Sequence, residues 1–133
     1  MQEFVRQQTL LLLRRFALQV SRAARTGNPE AIHDLRVSIR RLSRCLRIFE
    51  QFYPERGRKK LRRRLKELMD ACARVRDRDV ALGVLAEAGF PPNSIVVRRL
   101  HHHRAEALLH LMSMLRRWKQ RGASQKWRAQ LGI

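Results

Sequence analysis

Five side chains in the second quarter of the chain are spaced to act together. His33, Arg36, Arg40, Arg44 and Arg47 recur at intervals of three and four. At about 100° per residue they fall within roughly 80° of helical arc. Arg41 lies just beside them. No acid occurs between Asp34 and Glu50, so nothing within the helix relieves repulsion of about a few tenths of a kcal/mol per like-charged pair. Such a ribbon suits an anion that supplies the relief. Guanidinium forks match phosphate oxygens in pairs, and a protonated imidazole adds one more donor. The opposite arc carries Ile32, Leu35, Ile39, Leu42, Leu46 and Phe49, so one face is core and the other basic.

A second basic face follows on the next helix. Leu61, Leu65, Leu68, Met69, Cys72 and Val75 form its apolar arc, and Lys59, Arg62, Arg63, Lys66 and Arg74 share the other side with Asp70. Lys59, Arg63, Lys66 and Arg74 join the candidate anion contacts. The run Arg76-Asp77-Arg78-Asp79 reads as a junction of charges. Arg76, Asp77 and Asp79 are expected to pair structurally, and Arg76, at the edge of the apolar arc, is expected to have a buried or half-buried partner. On the last long helix, Arg104 falls in the middle of the apolar arc. An unpaired buried guanidinium is costly, so Arg104 requires an acid, a carbonyl or a wet cavity; Asp77 or Asp79 could supply the acid, or an anion reaching between the helices could serve instead. His102, Glu106 and His110 share a face at metal-compatible spacing, but no supporting partner is in view and no metal site is expected.

The elements that hold these residues are helices. Apolar residues recur at three and four and never alternate at two over any length, which predicts an all-α antiparallel bundle of about four long helices. The first is expected from about Gln2 to Arg25, with Phe4, Val5, Leu12, Phe16, Val20 and Ala23 inward. Gly27 ends it, Asn28 caps the second and Pro29 opens it. The second stops near Phe52, before Pro54. The third runs from about Glu55 to Arg78, with Asp79 capping a short continuation to Ala88. Gly89 and Pro91-Pro92 end that segment, and Ser94 caps a helix from Ile95 to Arg121. Residues 1–121 form the bundle and 122–133 a loose tail, with Trp127 and Leu131 available to dock.

Composition narrows the function classes. The chain has 133 residues and a formal net charge of +19. Arginine outnumbers lysine 25 to 5, a bias that favours phosphate recognition over mere solubility. Hydrophobic content of 44% is enough for a core and excludes full disorder. No apolar run is long enough to span a membrane. Glu3 and Arg6 precede a short leucine run without a credible cleavage site, so a signal peptide is not expected. Cys45 and Cys72 make no framework, which suits reduced thiols and a cytoplasmic setting. No Glu-x-Glu-x-Lys, P-loop or nucleophilic triad is present. The expectation is therefore binding without catalysis and without a cofactor.

The stretch HDLRVSIRRLSRCLR, His33 to Arg47, resembles the CHAD family, the conserved histidine α-helical domain. Its H-x-x-R-V-x-x-R-R-L pattern is matched by His33, Arg36, Val37, Arg40, Arg41 and Leu42. The family's L-G-x-x-R-D-x-D-V stretch is similar to residues 72–80, with Cys72-Ala73 in place of Leu-Gly. Arg104, Ala107 and Ser113 resemble the final-helix pattern. The resemblance covers about residues 2–118. It implies an α-helical domain that binds inorganic polyphosphate and localises to polyphosphate granules, with His33, Arg36, Arg40 and Arg41 in the binding role. The helical wheel adds Arg44 and Arg47, and Arg104 completes the candidate set. Family members resemble two four-helix halves and this chain is about one, so a homodimer rebuilding the second half is an expected partner arrangement. The alternative is a helical protein that tracks a DNA or RNA backbone.

Overall fold

The computed structural model describes residues 1–120 and 123–133. Among them are five α-helices and no strand: α1 (Glu3–Thr26), α2 (Pro29–Ile48), α3 (Glu55–Glu87), α4 (Ile95–Gln120) and α5 (Ala123–Gln130), with a 3₁₀ turn at Glu50–Phe52 between α2 and α3. Each long helix packs on its chain neighbour and α1 also packs on α4, closing a four-helix ring on which α5 rests. The all-α bundle is as expected.

The α1–α2 corner follows from its residues. Gly27 takes φ of +60° and donates its N–H to the Ala23 carbonyl, a left-handed C-cap that glycine adopts without strain. The Asn28 side chain accepts from the Ala31 N–H at 2.8 Å, with Pro29 in the first helical turn. The inward stripe of α1 differs in part from the expectation. Phe4 is exposed and Leu12 only half-buried, while Thr9 and Leu13 are buried. Thr9 is accommodated because its hydroxyl donates to the Val5 carbonyl at 2.7 Å and lies 2.6 Å from the Tyr53 hydroxyl. That contact ties α1 to the α2–α3 connection.

Three boundaries also differ. The helical segment expected to reach Phe52 ends as α-helix at Ile48 and tightens into the 3₁₀ turn. Asp79 caps nothing, because α3 is continuous through it to Glu87 and its carboxylate is taken by Arg104. The segment expected as a loose tail contains α5, which packs on α1, α3 and α4. Trp127 and Leu131 are buried, and Trp118 lies between Phe16, edge to face at 5.1 Å, and Trp127, tilted at 6.0 Å between ring centroids. Gly57 explains the close approach: a Cβ there would sit 2.0 Å from the Gln130 carbonyl oxygen. The boundary at residues 121–122 lies outside the described residues.

Candidate anion-binding seam between the second and third helices

The apolar stripe of α2 sets the direction of its arginines. Ile32, Leu35, Ile39, Leu42 and Leu46 are buried against the core, while His33, Arg40, Arg41, Arg44 and Arg47 are exposed and Arg36 is half-buried. On α3, Leu61, Leu65, Leu68, Cys72 and Val75 are buried in the same core. Packing the two helices therefore brings the flank of each stripe to a shared seam.

Two cavities lie along that seam. The larger, about 670 Å³, is lined by Arg40, Arg44 and Arg47 from α2 and by Arg62, Arg63 and Lys66 from α3, over a floor that includes Ile39, Leu65 and Met69. Six cations and no carboxylate line it. The smaller, about 190 Å³, is lined by His33, Arg36, Arg76 and Asp79 with Pro29, Ile32 and Val80. Arg36 lines the smaller one, one helical turn from Arg40 of the larger. Burial is the main cause that lowers its pKa, followed by the charges of Arg40 and Arg76. Its Nε is buried with no hydrogen-bond partner among the described residues. A cation in this state gains from any anion that enters. Beneath it, burial pushes the Cys72 thiol up to about 12, against the pull of Arg36.

Asp79, the one acid that lines either cavity, is paired. Arg104 of α4 donates through Nε to Asp79 Oδ1 and through Nη2 to Oδ2 at 3.4 Å, and Nη2 also reaches the Gly27 carbonyl at 3.5 Å. Of the alternatives open to the guanidinium in the middle of the α4 apolar arc, the structure shows the acid Asp79 and a carbonyl, and this pins α4 to α3 and to the α1–α2 corner. Its fork is engaged by protein, so it acts at the seam through Asp79.

The candidate residues therefore separate. Arg40, Arg44, Arg47, Arg63 and Lys66 converge in the large cavity, and His33 and Arg36 in the small one. Lys59 stands apart in an i, i+4 pair with Glu55 at 2.7 Å. Arg41 and Arg74 are exposed and line neither cavity. Of the expected structural pairs, Asp79 is paired. Arg76 and Asp77 are exposed and make no ion pair among the described residues, because adjacent residues on a helix do not face each other. Arg76 faces the small cavity instead. Arg62 and Arg76 are the residues missed. Together with Lys66, Met69, Ala73 and Val80 they form one flank of the α3 stripe, at intervals of three and four. That flank was the available signal.

The seam is strongly cationic, with eight Arg and Lys side chains lining its two cavities. The chain matches the family model described as CHAD domain over residues 8–132. No curated protein and no solved structure matches it. The match spans nearly the whole chain and includes both helices of the seam, so the protein belongs to the CHAD family.

Proposed function

We propose that the protein is a non-catalytic module that binds inorganic polyphosphate in an extended thread along the α2–α3 seam and so associates with polyphosphate granules. The observation that carries this reading is linear charge density. From His33 to Arg47, α2 advances about 21 Å at about 1.5 Å per residue. Eight Arg and Lys side chains line the two cavities along that length, or about one cation per 2.6 Å of helix axis. Polyphosphate, with one oxygen between successive phosphorus atoms, carries a charge about every 3 Å on a straight thread, whereas a B-DNA strand, at one phosphate per about 3.4 Å of axis, winds away from a straight track. The seam also lacks the aromatic platforms on which single-stranded bases stack: neither cavity is lined by Phe, Tyr or Trp. The family's association with polyphosphate points the same way.

The test is the Arg40→Ala/Arg44→Ala/Lys66→Ala variant, which removes cations from both walls without touching the core. Exposed charge-assisted contacts contribute about 0.5–1 kcal/mol each after screening, so polyphosphate affinity should fall about 10- to 150-fold. Helix content and melting temperature should hold or rise, because like-charge repulsion is relieved. At fixed ionic strength, long-chain polyphosphate should displace duplex DNA and single-stranded RNA. Displacement of polyphosphate by either nucleic acid at equal phosphate concentration would refute the reading.

A further inference from the structure

The α3–α4 hairpin runs past the rest of the bundle. The α1–α2 corner meets it at Arg104, Leu108 and Met112, all close to Gly27. Beyond that level support is lost. α3 buries no side chain after Val75, and α4 buries only Val97 before Leu111. The sequence nevertheless remains apolar there. Val84 is 57% exposed and Ile95 72% exposed, and Val96 and Phe90 are also exposed. Clustered apolar exposure of this kind marks an interaction surface. The two helices leave a groove of about 430 Å³ between them, with Val84, Ile95 and Val96 among its walls and Arg99 and His103 as its polar border.

We propose that this groove docks an acidic amphipathic helix supplied by another protein. Its form is that of a helix-in-groove site. Its α4 wall, from Ile95 to His103, runs about 12 Å, two turns of a partner helix. Charge selects the partner. Between Asp79 and Glu106 the chain has Glu87 as its one acid, against Arg98, Arg99, His101, His102, His103 and Arg104. Arg104 is spent on Asp79, whereas Arg98 and Arg99 make no ion pair among the described residues. A second copy would bring the same cations face to face on a chain whose net charge is +19. A helix with Leu on one face and Glu flanking it fits both the apolar floor and the arginine border. Occupancy is independent of the polyphosphate reading, because the groove lies on the projecting hairpin and shares no lining residue with either cavity of the seam.

The experiment uses a labelled 14-residue peptide with Leu at i, i+3, i+4 and i+7 and Glu at the flanking positions. A scrambled peptide of the same composition has no apolar face. Fluorescence anisotropy at fixed salt should show the patterned peptide binding the wild-type chain at least tenfold more tightly than the scrambled one. Val84→Asp and, separately, Ile95→Asp should each remove that difference with melting temperature unchanged, since both side chains are exposed. Absence of binding, equal affinity for both peptides, or retained affinity in both variants overturns the proposal. So does a wild-type dimer in sedimentation that Val84→Asp dissociates, or binding to phosphatidylglycerol vesicles that Val84→Asp abolishes while neither peptide binds.

Discussion

Removing Arg104 and removing its partner should damage the fold alike but move anion affinity in opposite directions. The pair is mostly out of solvent, with side-chain exposures of 20% for Arg104 and 23% for Asp79. Exposed pairs contribute about 0–1 kcal/mol, and breaking fully buried ones costs about 3–5 kcal/mol. A part-buried pair lies between, near about 2 kcal/mol. With an unfolding entropy of about 2.1 cal/mol/K per residue, that lowers the melting temperature by about 7 °C. Both Arg104→Gln and Asp79→Asn should show a loss of this size.

Binding separates them. In Arg104→Gln the Asp79 carboxylate is unmasked beside His33, Arg36 and Arg76. At a separation of about 8 Å from a phosphate, one unit charge is worth about 0.5 kcal/mol at the dielectric of water and about 2 kcal/mol at an effective value of 20. Polyphosphate affinity should therefore fall about two- to thirtyfold. In Asp79→Asn the negative charge disappears and affinity should hold or rise. The double variant, with neither charge, should bind like wild type. Calorimetric titration with polyphosphate and thermal melts on the three variants measure these effects. Equal losses of affinity in both single variants would refute masking and make the pair a purely structural pin. A double variant as weak as Arg104→Gln would place the Arg104 guanidinium on the ligand itself.

Two other outcomes follow from the buried groups and the close packing. Cys72 and Tyr53 are both held above their ordinary pKa by burial, Cys72 at about 12, so their neutral forms belong to the folded state. The unfolded thiol ionises near about 8.5. Stability is therefore intact below that value and is lost as pH rises from about 9 toward 12. Denaturant melts at pH 8 and pH 10.5 should show the fall, with Cys72→Ala flattening it. A pH-independent midpoint in the wild type would contradict the burial argument. Gly57→Ala should lower the melting temperature by several degrees although Ala is the better helix former by about 1 kcal/mol, because the new Cβ meets the Gln130 carbonyl. Near-ultraviolet dichroism from Trp118 and Trp127 should change with it, and a stabilised Gly57→Ala would mean that α5 docks without that contact.

The arginine ribbon on α2 was readable because it depends on one period within one helix. Its apolar arc is continuous from Ile32 to Leu46, and every buried position fixes the direction of the arginine one or three residues away. The seam was only half readable, because it depends on how α3 turns against α2. Arg62 and Arg63 are adjacent in sequence and both flank the seam, yet the wheel placed them with Lys59 and Arg74, which lie off it. Arg76 was misread for a related reason. Four alternating charges resemble a paired junction, but helix neighbours one residue apart do not face each other, and α3 buries no side chain after Val75 against which a partner could approach. Asp79 shows a local signal losing to a distant one. Its type and position suit an N-cap, but a half-buried guanidinium from α4 holds its carboxylate more strongly than a backbone N–H would. That contact joins residues 25 apart in sequence, beyond the reach of any period. The same contact explains how so basic a protein can keep an acid at the proposed anion site: Asp79 orients α4 through Arg104, and Arg104 offsets the charge that would otherwise repel a phosphate. The fold is thus set by apolar stripes that each helix states alone, whereas the site is set by charge pairings that exist only once those stripes have met.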